Sequence, residues 1–421
     1  MRINTLELTN VRGFTHAKLD FQPGFNLIVG INGVGKTTVL ESLRVVLSNL
    51  LPEATVSKNK KESFDLYDIQ TGKDNLQLNA TVAIESDFFS FVISKQKEKT
   101  KLVDTENIRK QTYDVVNLGG LFQPSIPKNY KKALNQPLGI FYSAYRSLMN
   151  EEKPTQSQTV GGQAVAFAET LNPKREFTIR LFADWFIVQE QLAKENAGLR
   201  NKVESIKKAI YTFLPEFSNL KVIRDIRNKN NTFSIVKNNK ELSFQQLSDG
   251  ERSMLALVFD IARRLTIANT TLENPLHGEA VILIDELDLH LHPKWQRTIV
   301  SNLKRTFPNC QFIATTHSPQ IVSSVLPENI QIIKNFEIDQ TVKSFGLDIN
   351  WILKSIMEDS DRLKESEEAI AAVQKLVDEI EFEKARELIN KYKKENLDLD
   401  EWIMFEARMS HLEMFDDEED N

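Results

Sequence analysis

The chain of 421 residues contains one cysteine, Cys310. No disulfide framework can form within it, which excludes the small disulfide-stapled secreted scaffolds and predicts a cytoplasmic setting. Glycine (15) and proline (13) are too sparse for a low-complexity or collagen-like chain. Uninterrupted apolar runs are short, about five residues in Ala280–Ile284, against the roughly twenty a membrane helix needs. No membrane span is expected. The opening Met1-Arg2-Ile3-Asn4-Thr5-Leu6-Glu7 has an early acid and no apolar stretch, so no secretory signal is expected. Sustained heptads are also missing, which excludes a long coiled coil.

What remains is ordinary for a soluble globular protein: 41% hydrophobic and 27% charged residues. The length allows two or three domains, or one core with insertions. The net charge of −6 is unevenly spread. From Glu358 to Asn421 there are 22 acidic and 9 basic residues, a net of −13, which leaves +7 on the rest. Such a tail reads either as a solvated helical face or as a docking segment for a basic partner, or an internal mimic of nucleic acid.

Ala17, Leu19 and Phe21 alternate as in a strand, with Gly13 and Pro23-Gly24 marking turns. Phe25-Asn26-Leu27-Ile28-Val29 reads as a buried strand running into a glycine-rich loop, and Thr38 to Leu47 as a helix. Residues 51–75 read as a loop, Leu76 to Ile84 and Phe88 to Ile93 as strands, 94–135 without clear period, 138–142 as a strand, and 151–172 as a mobile loop. Residues 174–213 form the longest helical stretch: Phe177, Leu181, Trp185, Val188 and Leu192, then Val203, Ile206, Ile210 and Phe213, with a break at Gly198. It is either a helical subdomain on a sheet or a short arm. Strands follow near Leu220 to Asp225 and Thr232 to Val236. The boundaries expected are 1–150, 151–218 (helical insertion), 219–335 and 336–421 (acidic helical tail). In that tail Ala369, Ile370, Val373, Leu376, Val377 and Ile380, then Ala385, Leu388, Ile389 and Tyr392, then Trp402, Ile403 and Phe405 form apolar stripes.

Four motifs carry chemistry. Gly30-Ile31-Asn32-Gly33-Val34-Gly35-Lys36-Thr37 matches G-x-x-x-x-G-K-[ST], between an apolar strand and a helix, the context that identifies a P-loop. Its backbone N–H groups wrap phosphate oxygens, Lys36 bridges the β- and γ-phosphates of ATP, and Thr37 ligates Mg²⁺, with Thr38 opening the helix. The apolar strand Ala280–Ile284 ends in Asp285-Glu286. Beside a P-loop this pair reads as a metal-holding aspartate and a glutamate that orients or deprotonates water. Leu247-Ser248-Asp249-Gly250-Glu251-Arg252 opens an apolar helix, and Ser-x-Gly at a helix start is a second anion site. Finally, Phe312 to Thr316 reads as a strand ending at His317-Ser318-Pro319, with His317 placed to donate to a γ-phosphate.

In this order the motifs resemble the ABC-type ATPase heads of the SMC and RecF group, over residues 1–335. The resemblance implies an α/β fold: a P-loop NTPase head of mixed sheet with N-terminal antiparallel strands. It implies that Arg12, in Leu8-Thr9-Asn10-Val11-Arg12-Gly13-Phe14, reaches nucleotide or DNA, and that two heads sandwich ATP with Ser248 and Gly250 of one facing the γ-phosphate held by the other. Asp288 to Gln296 looks like the segment with the D-loop, which contacts the other protomer. Asp249 and Glu251 depart from the family's Gly and Gln, and two extra carboxylates there need pairing, for instance with Arg252. The Q-loop glutamine is not evident. The strand ending Phe141-Tyr142-Ser143-Ala144-Tyr145-Arg146 sits where that glutamine belongs but carries none, and Gln136 precedes it. His290 and His292 with Asp288 could also be read as metal ligands, and Cys310 as a packed small residue.

The 210 residues from Thr38 to the signature do not suit a transporter subunit. A fused nuclease of the overcoming-lysogenization-defect type needs strand-end acids, and the Asp-x-Asp at Asp398-Leu399-Asp400 lies in a charged, helix-flanked stretch. Taken together, Leu-Ser-Asp-Gly-Glu-Arg, Asp-Glu-Leu-Asp-Leu-His-Leu-His-Pro and Thr-Thr-His-Ser-Pro-Gln resemble the compact AAA-type ATPases of the Septu (PtuA) and retron anti-phage systems. That resemblance implies an oligomer and a separate HNH nuclease of the PtuB type. A stand-alone RecF-like DNA-repair ATPase, binding DNA directly, is the alternative.

Overall fold

A computed structural model describes residues 1–97, 130–144, 162–175, 179–224, 230–341, 343–357 and 364–419. It divides into two units, Met1–Ile352 and Leu353–Asn421.

In the first unit, β1 (Arg2–Val11) and β2 (Phe14–Asp20) form the hairpin announced by the alternation at Ala17 and Leu19. β3 (Phe25–Val29) leads through the glycine loop into α1 (Lys36–Ala54). β4 (Asn75–Ile84), β5 (Asp87–Gln96) and β6 (Leu138–Tyr142) follow, then a helical hairpin of α2 (Ile179–Ala193) and α3 (Ala197–Phe213). β7 (Phe217–Arg224), β8 (Asn231–Lys237) and β9 (Lys240–Ser243) precede α4 (Asp249–Ala268). β10 (Ala280–Ile284), α5 (Pro293–Gln296), α6 (Ile299–Thr306), β11 (Cys310–Thr316), α7 (Pro319–Val322), β12 (Ile330–Lys334) and β13 (Glu337–Asp339) complete it, with α8 (Ile349–Ser355) at the boundary.

Three sheets result. An antiparallel sheet runs β2-β1-β4-β5, a second runs β13-β12-β3-β11-β10-β6, and a small one runs β7-β8-β9. In the second, all neighbours are parallel except β12 and β13. Its central strands read as near-continuous apolar runs because both faces are covered: every residue of β3, β6, β10 and β11 is buried. The register sets Tyr142 beside Ile284, Ile284 beside Ala314, and Thr316 beside Val29. Four strands therefore end at one edge, where parallel α/β sheets place their ligands.

Some expectations need correction. The helical stretch breaks at residues 194–196 and not at Gly198: the Asn196 side chain accepts the Leu199 N–H (3.2 Å) and starts α3, so Gly198 falls in its first turn. The stripe read along α2 picks the wrong face. Leu181, Val188 and Leu192 are exposed, while Phe182 and Phe186 are buried. Phe182 packs against Phe233 of β8 and Phe259 of α4, and Phe186 meets Phe233 edge-on, the Phe182–Phe259 and Phe233–Phe259 centroids lying 4.5 and 4.9 Å apart. A cluster of four phenylalanines outweighs a stripe of aliphatic residues in choosing the buried face. Phe177, the greater part of 94–135 and residues 151–161 of the loop expected at 151–172 lie outside the described residues. The described half of that loop holds a helical turn, Gln163–Phe167, with Ala166 and Phe167 buried, in place of the mobile loop expected. Helix α1 runs on to Ala54, beyond the expected loop boundary.

The second unit contains α9 (Lys364–Asp378), α10 (Phe382–Lys394) and α11 (Glu401–Glu419). Ala369, Val373, Val377, Phe382, Ala385, Ile389, Trp402, Phe405 and Met409 converge in a core of their own. Tyr392 stacks on Trp402 at 5.9 Å and 8° between planes. Ile380 and Ile403, expected in the apolar stripes, are exposed: Ile380 sits at φ +61° in the turn after α9.

Candidate functional site

The loop after β3 is shaped by its glycines. Gly33 and Gly35 adopt φ of +83° and +105°. A Cβ on Gly35 would lie 2.5 Å from the Phe14 ring, so this position admits only glycine on two counts. Asn32 and Gly33 are exposed on the loop and Val34 is buried beneath it. Helix α1 starts without a side-chain cap and without an acid in its first turn, leaving N–H donors for an anion. The Lys36 ammonium donates to the Gly30 and Ile31 carbonyls at 2.7 and 2.8 Å. Burial lowers its pKa to about 8, with the charges of Asp285, Glu286 and Asp288 opposing that shift.

At the ends of β10 and β11 the acids are held by threonines. Thr37 Oγ1 donates to Asp285 Oδ2 at 3.2 Å, and Thr315 Oγ1 donates to Asp285 Oδ1 at 2.6 Å. The same Thr315 oxygen accepts the Glu286 N–H at 2.8 Å, and the Asp285 N–H donates to the Tyr142 carbonyl at 2.8 Å. Glu286 is kept at φ +49°, an uncommon conformation for a non-glycine residue, and is half-buried. One residue pair further, Asp288 Oδ1 accepts from Thr316 Oγ1 (2.5 Å) and the His317 N–H (3.1 Å). Burial and then the Lys36 charge lower the His317 pKa, so the imidazole is neutral at pH 7.

Arg12, at φ +51°, donates from Nε to Asp68 Oδ1 (2.8 Å) and from a terminal nitrogen to Thr38 Oγ1 (3.3 Å). It thus lies against the first turn of α1. The loop residues, Thr37, Thr38, Arg12, Asp285, Glu286 and His317 are brought to one edge of the sheet. Ser248 and Gly250 belong to a different neighbourhood. Ser248 caps α4 in a reciprocal box with Glu251, its hydroxyl donating to Glu251 Oε2 at 2.8 Å. A Cβ on Gly250 would lie 2.6 Å from the His290 carbonyl and 3.1 Å from Trp295, so this glycine admits the 290–295 segment against the helix start. The two extra carboxylates are paired separately, Asp249 with Arg252 and Glu251 with Lys237.

Gln136 is no sensor at this edge. It is fully buried at the opposite end of β6, where its side chain accepts from Val56 N (3.0 Å) and donates to the Ala133 carbonyl (2.6 Å). Tyr145 and Arg146, in the same expected segment, lie outside the described residues. His292 Nδ1 accepts the Lys294 N–H at 3.2 Å as the cap of α5, a local use of the ring. Cys310 is buried and its thiol is pushed up to about 12, consistent with packing alone. Sequence reasoning missed Thr315, Asp68 and the bonding of Asp288. A threonine inside a buried strand and acids in turns give no pattern of their own.

The donors present suit a nucleoside triphosphate with a hard cation. A hydroxyl and a carboxylate oxygen 3.2 Å apart adjoin an uncapped helix start and a buried ammonium, and Mg²⁺ takes oxygen ligands shared with phosphate. The family model described as "AAA domain, putative AbiEii toxin, Type IV TA system" matches residues 25–323. The chain belongs to this family. The retron Vc95 probable ATPase of Vibrio cholerae is 30% identical, over 89% of this chain and 82% of that protein. The retron Ec83 probable ATPase of Escherichia coli is 28% identical, over 86% and 77%. The Septu protein PtuA of Bacillus thuringiensis is 26% identical, over 91% of each. The chain is an ATPase similar to these proteins along most of its length.

Proposed function

We propose that this ATPase is the control subunit of a prokaryotic anti-phage defence complex: two copies close around ATP, and the closed state governs a separate nuclease of HNH type. One observation carries the reading. Every group read as phosphate-, metal- or water-directed lies in Met1–Ile352, whereas Leu353–Asn421 folds around its own core, and the similarity to retron and Septu ATPases spans 86% to 91% of the chain.

In this reading the loop N–H groups of residues 32–38 and Lys36 bind the triphosphate, and Arg12 closes over the start of α1. Thr37 and Asp285 hold Mg²⁺, which when bound neutralises phosphate charge. Glu286, fixed through its N–H on Thr315, orients the attacking water and takes its proton, and the neutral His317 donates to the terminal phosphate. Ser248, exposed at the start of α4, offers its hydroxyl and the helix start to the nucleotide of a second copy. Asp398 and Asp400 sit in the connection between α10 and α11, away from any strand end, so this pair gives a built-in nuclease no support.

The test is phage challenge of cells expressing the chain with the nuclease encoded beside it. Protection should require Lys36 and residues 353–421, and the nuclease should co-purify with the full chain. Protection by the nuclease with Lys36→Ala would contradict ATP control. Co-purification that survives deletion of 353–421 would remove that unit from docking. A protein that instead protects cells from DNA damage without any nuclease would favour the RecF-like alternative.

A further inference from the structure

One buried cluster is unused by the chemistry above. Asp260, near the middle of α4, is 4% exposed and receives three partners. Arg264 Nε donates to Oδ1 at 2.8 Å, Arg175 pairs with Oδ2 at 2.8 Å, and the Tyr142 hydroxyl donates to Oδ2 at 2.8 Å. The Arg175 guanidinium also lies over the Tyr142 ring, 4.9 Å from its centroid, and Arg264 donates to the Ala166 and Ala168 carbonyls at 2.7 and 3.0 Å. Burial would raise the Asp260 carboxyl, yet the two arginines and the tyrosine hold it well below the usual carboxylate range. Two guanidinium groups around one carboxylate leave an excess positive charge in the interior. Such a cluster is a poor way to gain stability, and buried polar groups of this kind are best attested where they fix one arrangement over another.

The arrangement it fixes is visible in Tyr142. This residue ends β6, and its two polar groups face different machinery. Its carbonyl accepts the N–H of Asp285, and its hydroxyl donates to Asp260 of the helix that Ser248 caps. We propose that Tyr142 is a positioning residue that ties the placement of the signature helix α4 to the placement of Asp285, so that engagement of Ser248 is felt at the metal-holding carboxylate through a single side chain and its own backbone. A rigid helix is an efficient lever: Asp260 lies twelve residues along from Ser248, roughly 18 Å at 1.5 Å per residue. The inference rests on the ATPase reading of Asp285 and on Ser248 meeting nucleotide.

Tyr142→Phe keeps the ring beneath Arg175 and removes the hydroxyl, while Asp260 retains both arginines, so the head stays folded. Turnover and nucleotide affinity are measured on the full chain with a fluorescent ATP analogue and a phosphate-release assay. The expected result is a kcat about tenfold lower, the order of one lost charge-assisted hydrogen bond, with KM and analogue affinity within about twofold of wild type. Arg264→Lys is the control: it removes the Nε bond to Asp260 Oδ1 and loosens the hold on the Ala166 and Ala168 carbonyls but leaves the Tyr142 bond, so Tm should fall with kcat nearly unchanged. A Tyr142→Phe protein with wild-type kcat overturns the proposal, as does an equal loss of kcat in both variants, which would mean general softening. Absence of turnover in the wild type would remove the ATPase reading and this inference together, a result recognisable before any variant is made.

Discussion

Thr315→Val isolates the hydroxyl that organises both acids. Thr315 is fully buried, and valine has nearly its shape, so neither a cavity nor a clash accompanies the change. What is lost is the 2.6 Å donation to Asp285 Oδ1 and the acceptor for the Glu286 N–H at 2.8 Å. The first is a bond to a charged group, about 1.5–3 kcal/mol, and the second a neutral one, about 0.5–1.5 kcal/mol, so stability should fall by roughly 2–4 kcal/mol. The functional effect is separate. Loss of a partner that orients a metal-ligating carboxylate costs about 10–100-fold in metal affinity or activity. Phosphate release titrated with Mg²⁺ should show a half-saturation shifted upward, or a maximal rate lowered, by that factor, whereas affinity for a nucleotide without metal should hardly move. If the variant melts at a lower temperature but keeps the wild-type Mg²⁺ titration and rate, Asp285 is not the metal-holding carboxylate, or Thr315 does not orient it.

Three further outcomes follow from the geometry. Burial brings Lys36 to a pKa of about 8 in the free head, and a bound triphosphate favours its charged form, so ATP affinity should decline from pH 7 to 9 and binding at alkaline pH should take up close to one proton. Calorimetry in two buffers of different ionisation heat reads this directly, and a pH-independent affinity with no proton uptake would contradict it. Glu286→Gln should bind ATP as the wild type does and release no phosphate, while wild-type turnover in that variant would take Glu286 out of the water-orienting role. Trp402→Ala should cost the second unit about 3–5 kcal/mol, because the ring is fully buried against Tyr392 and Phe405, and leave ATP affinity unchanged. Loss of nucleotide binding would show that the two units do not stand apart energetically.

The strands around the site were legible because each carries an unambiguous local signal. Ala280–Ile284 is apolar at every position, and Phe25–Val29 meets a glycine-rich loop that only one backbone path suits. The same held for the stripes from Ala369 to Ile389, which do form a core. Legibility failed where a choice is made between elements. The buried face of α2 is chosen by Phe233 and Phe259, which lie 47 and 73 residues after Phe186 in the chain. No glutamine stands in the strand that ends at Tyr142, and Gln136, just before it, is separated by β6 from the edge where the acids lie. Thr315 stands inside the motif that ends at His317 and Tyr142 inside the strand expected at 138–142, but neither motif nor spacing gives them a role of their own. Their importance comes from register: parallel pairing of β11 and β6 with β10 sets both beside the Ile284-Asp285 end of that strand. Gly250 was read as an anion-site glycine, and the structure adds a second reason for it, the close approach of the His290 carbonyl.

The central claim is that nucleotide is hydrolysed at a site completed by a second copy. Mixing two variants tests it most directly. Lys36→Ala destroys the phosphate-binding side of a subunit and Ser248→Arg the opposing side, and each alone should be inactive. In a two-fold symmetric pair, an equal mixture that exchanges freely puts half the molecules in mixed pairs with one intact site each, so turnover should recover to about a quarter of wild type. Recovery near that level, rising and falling with the mixing ratio, is the predicted result. An equal mixture as inactive as its components, or full activity of Ser248→Arg on its own, would contradict the account.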